Sequence, residues 1–269
     1  MLLSFRQRTK IIERHFGRKT VGPGYVYRLV NQAVRTNKPV SVIRLGDVMA
    51  KLLSGRNVDS LKPVSQFLGI RLPLSPQLKR DLQFAVQNAS VVGLSHFTGS
   101  MNHLKEYIER SGWKPHRIAD SFINDQLYER GYLHRLLRTH RVALVGRAAP
   151  AAAAQLRKQG YHVAFTIALN NYDELSGALR KLRSNRKRFD LVFVGASVPG
   201  RILCSKIKNE LDASAIEIGH MMDAMSHPRS WAKPNNRQRF KHYWMRKLKK
   251  KRSSTTASSW RGPSNPDRT

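Results

Sequence analysis

Leu191-Val192-Phe193-Val194 is a continuous apolar run with no polar alternation, and it leaves the backbone few options. β-Branched and aromatic residues in a run this short suit a strand covered on both faces, as in a parallel sheet. The run enters a turn of small residues, Gly195-Ala196-Ser197-Val198-Pro199-Gly200, in which Ser197 is placed to cap a helix with Pro199 in its first turn. That helix would turn Ile202, Leu203, Ile207 and Leu211 inward, and a second strand, Ala215 to Ile218, ends at Gly219-His220 with Asp223 beyond. Strand, loop, helix and strand make a βαβ unit, and ligands of such sheets bind outside the carboxyl ends of the strands. Gly195, Ala196, Ser197, Pro199 and Gly200 on one loop, and His220 and Asp223 on the next, therefore belong to a single edge.

The same alternation runs through the chain. Val26, Leu29, Val30, Ala33 and Val34 follow a helical period, Val40 to Leu45 reads as a strand, and Gly46-Asp47 turns it into a helix through Met49, Leu52 and Leu53. Ser75-Pro76 opens a helix, and Val91 to Leu94 is a buried strand followed by His96 at another carboxyl strand end. Further on come a helix from Met101 to Arg110 and a segment from Ile118 leading into a helix that ends near Leu137. Arg141 to Gly146 then reads as a strand, Pro150 to Gln159 as a helix, Tyr161 to Ile167 as a strand and Tyr172 to Leu182 as a helix. This order predicts an α/β protein of Rossmann-like class: a doubly wound, mostly parallel sheet with helices on both faces. The turn Gly146-Arg147-Ala148-Ala149-Pro150 lacks the glycine spacing that lets a backbone approach a dinucleotide, which argues against a dehydrogenase. No P-loop, G-x-S-x-G elbow or H-E-x-x-H motif occurs either.

Charge sets the second boundary. Of 269 residues, 49 are Lys or Arg and 17 Asp or Glu, a formal +32. The stretch from His227 onward carries +12 of this, so the body is basic as well and should attract polyanions: nucleic acid, anionic lipid, an anionic polymer or a nucleoside diphosphate. Cys204 is the single cysteine, so an intrachain disulfide is excluded. No stretch approaches the length of a membrane span, and the reading is of a cytoplasmic protein with peripheral contact to the inner face of a membrane. Three parts follow: a basic arm or short surface helix over 1–20, a folded domain over 21–225, and a basic tail over 226–269, largely disordered, with Trp231, Phe240, Tyr243, Trp244 and Trp260 among its charges. Aromatics interleaved with cations suit an anionic membrane surface or single-stranded nucleic acid.

Two segments resemble motifs of the GT-D glycosyltransferases, a bacterial family first described as a domain of unknown function. Ser41-Val42-Ile43-Arg44-Leu45-Gly46-Asp47 is similar to the family's opening S-[VL]-[VI]-R-[FI]-G-D-G-E, and Ile216 to Asp223 is similar to its terminal D-x-G-H segment with a following Asp. Glu217 stands where the family commonly has Asp, and Met49 where it has the second acid of D-x-E. The resemblance implies a nucleotide-sugar donor and a glycan, protein or cell-surface polymer acceptor. It implies catalytic roles for Arg44, Asp47, His220 and Asp223, and donor contacts for Gly46, Asn124 and the 195–200 loop, to which position adds His96. It further implies Mn²⁺ or Mg²⁺ at Asp47, although the thioether of Met49 is a poor ligand for a hard cation. A non-catalytic binder of anionic polymer on the same fold is the second reading, and Met49 and the charge favour it.

Overall fold

The computed structural model describes residues 3–257, with side chains as far as residue 248. Seven strands form one all-parallel sheet in the order β3-β2-β1-β7-β6-β4-β5. The first half runs α1 (Phe5–Phe16), α2 (Pro23–Arg35), β1 (Ser41–Leu45), α3 (Asp47–Ser54), α4 (Ser65–Leu68), α5 (Pro76–Gln87), β2 (Val91–Leu94), α6 (Thr98–Ser111), β3 (Ile118–Asp120), α7 (Ile123–Glu129) and α8 (Tyr132–Thr139). The second runs β4 (Val142–Gly146), α9 (Ala149–Lys158), β5 (Val163–Ile167), α10 (Leu175–Ser184), β6 (Leu191–Gly195), α11 (Ser197–Glu210), β7 (Ser214–Glu217) and α12 (Met221–Ser226). Two further helices, α13 (Pro228–Trp231) and α14 (Asn236–Ala257), follow. The expected α/β, doubly wound class is the one observed.

The central strands β1, β7, β6 and β4 are buried almost throughout, which is why their sequences are apolar without alternation. Each face carries its own core. One packs Ile43, Leu45, Val192 and Val194 under α1, α3, α5, α6, α10 and α11. The other packs Val42, Leu144, Phe193 and Ile216 under α2, α7, α8, α9 and α12.

The chain therefore leaves neighbouring strands toward opposite faces at several places on the carboxyl edge, and two of these bear on the site. From β1 it departs under α3 and from β7 under α12; from β6 it departs under α11 and from β4 under α9. Such divergences open the crevices in which α/β proteins bind ligands. At the second of them Gly146 and Gly195 are register partners. Gly146 has φ +149°, and a Cβ there would collide with the Gly195 carbonyl, so the close approach of these two turns requires glycine.

The N-terminal segment is a docked helix: Ser4 and Gln7 form a capping box, Ile12 is fully buried, and Arg8 pairs with buried Asp120 at 2.6 Å. In place of a largely disordered tail from residue 226, residues 226–248 form α13 and the first half of α14 and lie against the body. Trp231 and Trp244 pack on the core that holds α12, and Trp244 Nε1 donates to Asp223 at 2.7 Å. Buried aromatic area supplies the attachment that the charge pattern hid. Trp260 and the rest of 258–269 lie outside the described residues.

Candidate active site

Three clusters occupy the carboxyl edge, and the innermost is an ion network between β1 and β7. Arg44 stands one residue before the end of β1 and Glu217 ends β7, so the sheet register brings them together from 173 positions apart. The pair is bidentate: Arg44 Nε donates to Glu217 Oε2 at 2.7 Å and Nη2 to Oε1 at 3.1 Å. Arg44 Nη1 also donates to the Ser121 carbonyl at 3.2 Å and to Asn124 Oδ1 at 3.0 Å, while Asn124 Nδ2 donates to the Ile218 carbonyl at 2.8 Å. Arg201, from the first turns of α11, lies 3.8 Å from Glu217 and donates to the carbonyls of Arg44 at 2.7 Å and Ser197 at 2.6 Å. Burial pushes the Glu217 carboxyl up, but Arg201 and Arg44 outweigh it and hold the group below its usual range. Gly219, at φ +51°, completes the packing, because a Cβ there would occupy the position of the Arg44 guanidinium.

The second cluster is a carboxylate–imidazole pair. His220 Nε2 donates to both oxygens of Asp125, at 3.0 and 3.1 Å, and its ring stacks on Trp231 with centroids 5.5 Å apart. Arg237 of α14 binds the same carboxylate through Nη2 and lies over the Phe122 ring at 4.5 Å. Burial acts to raise Asp125, yet His220, Arg237 and Arg44 bring it down to about 2. Burial also pulls His220 below the usual imidazole range, against the opposing pull of Asp125. The two directions compete for one proton, since part of the fall at Asp125 comes from a charged His220. Arg237 and Arg44 are permanent charges and keep Asp125 anionic in either state. A neutral His220 bonded in this way carries its hydrogen on Nε2 and its free lone pair on Nδ1.

The third cluster lies at the divergence of β4 and β6. Asp223 accepts from Trp244 Nε1, and Arg147 lies between the rings of Phe67 and Trp244, 5.6 Å from each. Burial raises the Asp223 carboxyl to about 6 even though Trp244 and Arg147 pull the other way.

The expected residues divide accordingly. Arg44 and Asn124 share the first cluster, His220 anchors the second and Asp223 the third, while Gly46 is the N-cap of α3. Asp47 does not join them: it is exposed at the start of α3 and faces Lys51 at 3.7 Å. Met49, two residues along the helix, is fully buried under the opposite side, so a D-x-E spacing here does not set two side chains toward one ligand. Among the described residues no three His, Cys, Asp or Glu side chains are grouped to hold a metal ion. With Asp47 alone and beside a lysine, a protein-held divalent cation does not fit this donor set.

His96 sits at the rim against Phe97 and Phe122, its Nδ1 buried without a partner among the described residues, and burial lowers its pKa. In the 195–200 loop, Ser197 makes no cap bond. It adopts φ +50° after Ala196, while Pro199 and Gly200 are buried, which leaves Gly195 and Ser197 as the partly open positions. Asp125, Glu217, Arg201, Arg147 and Arg237 were not singled out as site residues from sequence. Asp125 adjoins Asn124 and Glu217 lies in the D-x-G-H-like segment, whereas Arg201, Arg147 and Arg237 are three among 49 Lys and Arg.

A family model described as a GT-D fold-like domain matches residues 21–225. No curated protein matches the chain. A solved structure described as a new glycosyltransferase (DUF1792) from Streptococcus sanguinis is 19% identical with a TM-score of 0.50, over 75% of this chain and 82% of its own. Another, described as the highly conserved domain of unknown function 1792 with a distinct glycosyltransferase fold, is 15% identical with a TM-score of 0.53, over 83% and 84%. At these identities the likeness is one of fold. The family model spans most of the chain and both divergences that bear on the site, and on that match the protein belongs to the GT-D-like family.

Proposed function

We propose that this protein is a glycosyltransferase that moves a sugar from a nucleotide-sugar donor to a hydroxyl of a glycan, protein or cell-surface polymer. The observation that carries the reading is the Asp125–His220 pair at the carboxyl edge of a GT-D-like sheet. Transfer forms a bond from the acceptor oxygen to the sugar C1 and breaks the bond from C1 to the phosphate oxygen. The nucleoside diphosphate leaves with the electron pair. The acceptor proton needs a base, and a neutral His220 held by an anionic carboxylate offers Nδ1 for it. Asp125 would then stabilise the imidazolium that forms. Arg44, Glu217 and Arg201 are the frame: their mutual bonds fix the β1 and β7 turns that carry Gly46 and His220. No step is routed through a metal.

The test is release of nucleoside diphosphate from a panel of UDP-, GDP- and dTDP-sugars by the full-length protein, with and without oligosaccharide acceptors. His220→Asn should lower the rate by about 10²–10⁴, the usual range for loss of a general base. Release from no donor sinks the reading, and an unchanged rate in His220→Asn sinks the role of the pair.

One observation favours polyanion binding alongside catalysis. α14 carries nine Lys or Arg and no acid. A cleft of about 460 Å³ beside it is lined by Arg239, Arg246, His227 and His242 with Phe240 and Tyr243. Vesicles of anionic lipid and single-stranded oligonucleotides would test this, and affinity for the preferred one should fall steeply with salt as counterions are released. Salt-insensitive binding would refute it.

A further inference from the structure

Arg147 is a half-buried cation with no ion-pair partner among the described residues. Its neighbours in the site are matched: Arg44 holds Glu217, Arg8 holds Asp120 and Arg237 holds Asp125. Among the described residues Arg147 has no carboxylate within ion-pair distance. Its hydrogen bonds are two long ones from a single nitrogen, Nη2, to the carbonyls of Phe67 at 3.4 Å and Asn170 at 3.2 Å. Among the described residues Nε is buried with no partner and Nη1 makes no hydrogen bond. A guanidinium has five N–H donors in a planar fork, and leaving the Nε donor unpaired in a desolvated place is costly. The protein nevertheless fixes the group between the faces of Phe67 and Trp244.

Its place in the fold says what could use those donors. Arg147 follows Gly146, the last residue of β4, at the point where β4 and β6 send the chain to opposite faces. Beside it Gly146 and Gly195 let the two turns approach closely, and α11, fourteen residues long, begins at Ser197. Stacking between two rings and a half-buried position exclude water, which strengthens any charge pairing made there.

We infer that Arg147 is a donor-binding residue whose guanidinium takes the phosphate oxygens of a nucleoside diphosphate. The inference rests on the glycosyltransferase reading and adds to it the residue that meets the leaving group. Two phosphates supply the several acceptors that the planar fork lacks, and the same contact would stabilise the negative charge that grows on the departing diphosphate. Burial pulls the Arg147 guanidinium below its usual range, and the carboxylates of Asp223 and Glu174, neither within ion-pair distance, oppose that pull.

The experiment is isothermal titration of the full-length protein, wild type, Arg147→Gln and Arg147→Lys, with UDP, GDP, the matching monophosphates and nucleosides, and inorganic pyrophosphate. Melting curves of each protein without ligand accompany it. Arg147→Gln should weaken UDP or GDP and pyrophosphate by about ten- to a hundredfold, the range for a lost charge-assisted hydrogen bond, and leave the nucleoside unchanged. Arg147→Lys should recover part of the loss, because it restores the charge without the fork. Should Arg147→Gln fail to fold, the lysine variant decides alone. A deficit that grows from nucleoside to diphosphate supports the inference, and an equal deficit for both marks a structural arginine and overturns it. Wild-type binding retained in full by Arg147→Gln overturns the inference and leaves the glycosyltransferase reading standing. A wild type that binds neither the diphosphates nor pyrophosphate removes both.

Discussion

Replacing Glu217 by glutamine removes one negative charge from between two desolvated guanidiniums. The carboxylate is 1% exposed, and the side chains of Arg44 and Arg201 are each 11% exposed, so water cannot screen what is left. Breaking a buried pair by removing one partner typically costs about 3–5 kcal/mol, most of it the uncompensated charge that remains. Two features of this site adjust the figure. Glutamine keeps an oxygen that Arg44 Nε can reach, which lowers the cost. Both arginines share the single anion, which raises it. Arg44 retains its bonds to Ser121 and Asn124, and Arg201 its two carbonyls, so the chain should still fold. A loss of about 3–5 kcal/mol is expected, or roughly 10 °C in melting temperature for a chain of this size. Urea unfolding followed by circular dichroism measures it. The double variant Arg44→Met, Glu217→Met supplies the control, because removing both charges should cost less than removing the acid alone. A loss below about 1 kcal/mol in Glu217→Gln, or a double variant worse than the sum of its singles, would refute the account of a shared, desolvated anion.

Met49→Glu would place a carboxylate where the side chain is fully buried; it should unfold the protein or cost at least about 3 kcal/mol, and Mn²⁺ titration should show no gain of metal affinity over wild type. Asp223 has a folded pKa of about 6 against an unfolded 3.8. The unfolded chain therefore gives up its proton first as pH rises, and stability falls between these values by at most about 3 kcal/mol and is flat above them. Asp223→Asn should remove that slope from melting curves taken between pH 4 and pH 8 and be the more stable protein at pH 8; a slope identical to wild type counts against a buried acid there. Truncation after Ser226 removes the Trp231 stack on His220, the Trp244 bond to Asp223 and the Arg237 bond to Asp125. It should lower the melting temperature by several degrees, whereas an unchanged transition would show that α13 and α14 add nothing to the fold.

Much of the architecture was legible before any coordinates. A parallel strand covered on both faces must be apolar along its whole length, and a helix over one face must show the helical period. Leu191 to Val194 and the Val26 to Val34 series announced their elements for those reasons. The edge on which a ligand would lie followed from the same alternation, and His220 and Asp223 stand out because they follow a strand, Arg44 because the Ser41 to Asp47 stretch resembles a family motif. What the order of residues along the chain did not contain is partnership. Arg44 meets Glu217 across 173 positions, and His220 meets Asp125 across 95. Each pairing depends on the strand order, which sets β7 beside β1 and β3 two places further.

The same distance separates what the sequence suggested from what the fold brings together. Asp47 and Met49 look like a motif in one dimension, but a helix starting at Asp47 turns one outward to Lys51 and the other into the core. The segment after Ser226 reads as a charged tail because charge is what composition reports, while its attachment comes from Trp231 and Trp244 finding an imidazole and a carboxylate on α12 and its cap. Arg147 is one of 49 basic residues in the sequence, and only its position against two rings, with no acid at ion-pair distance among the described residues, distinguishes it. Local periodicity is a property of neighbours along the chain and is written in sequence. Which charges are desolvated, and against what, is settled when distant segments close around them.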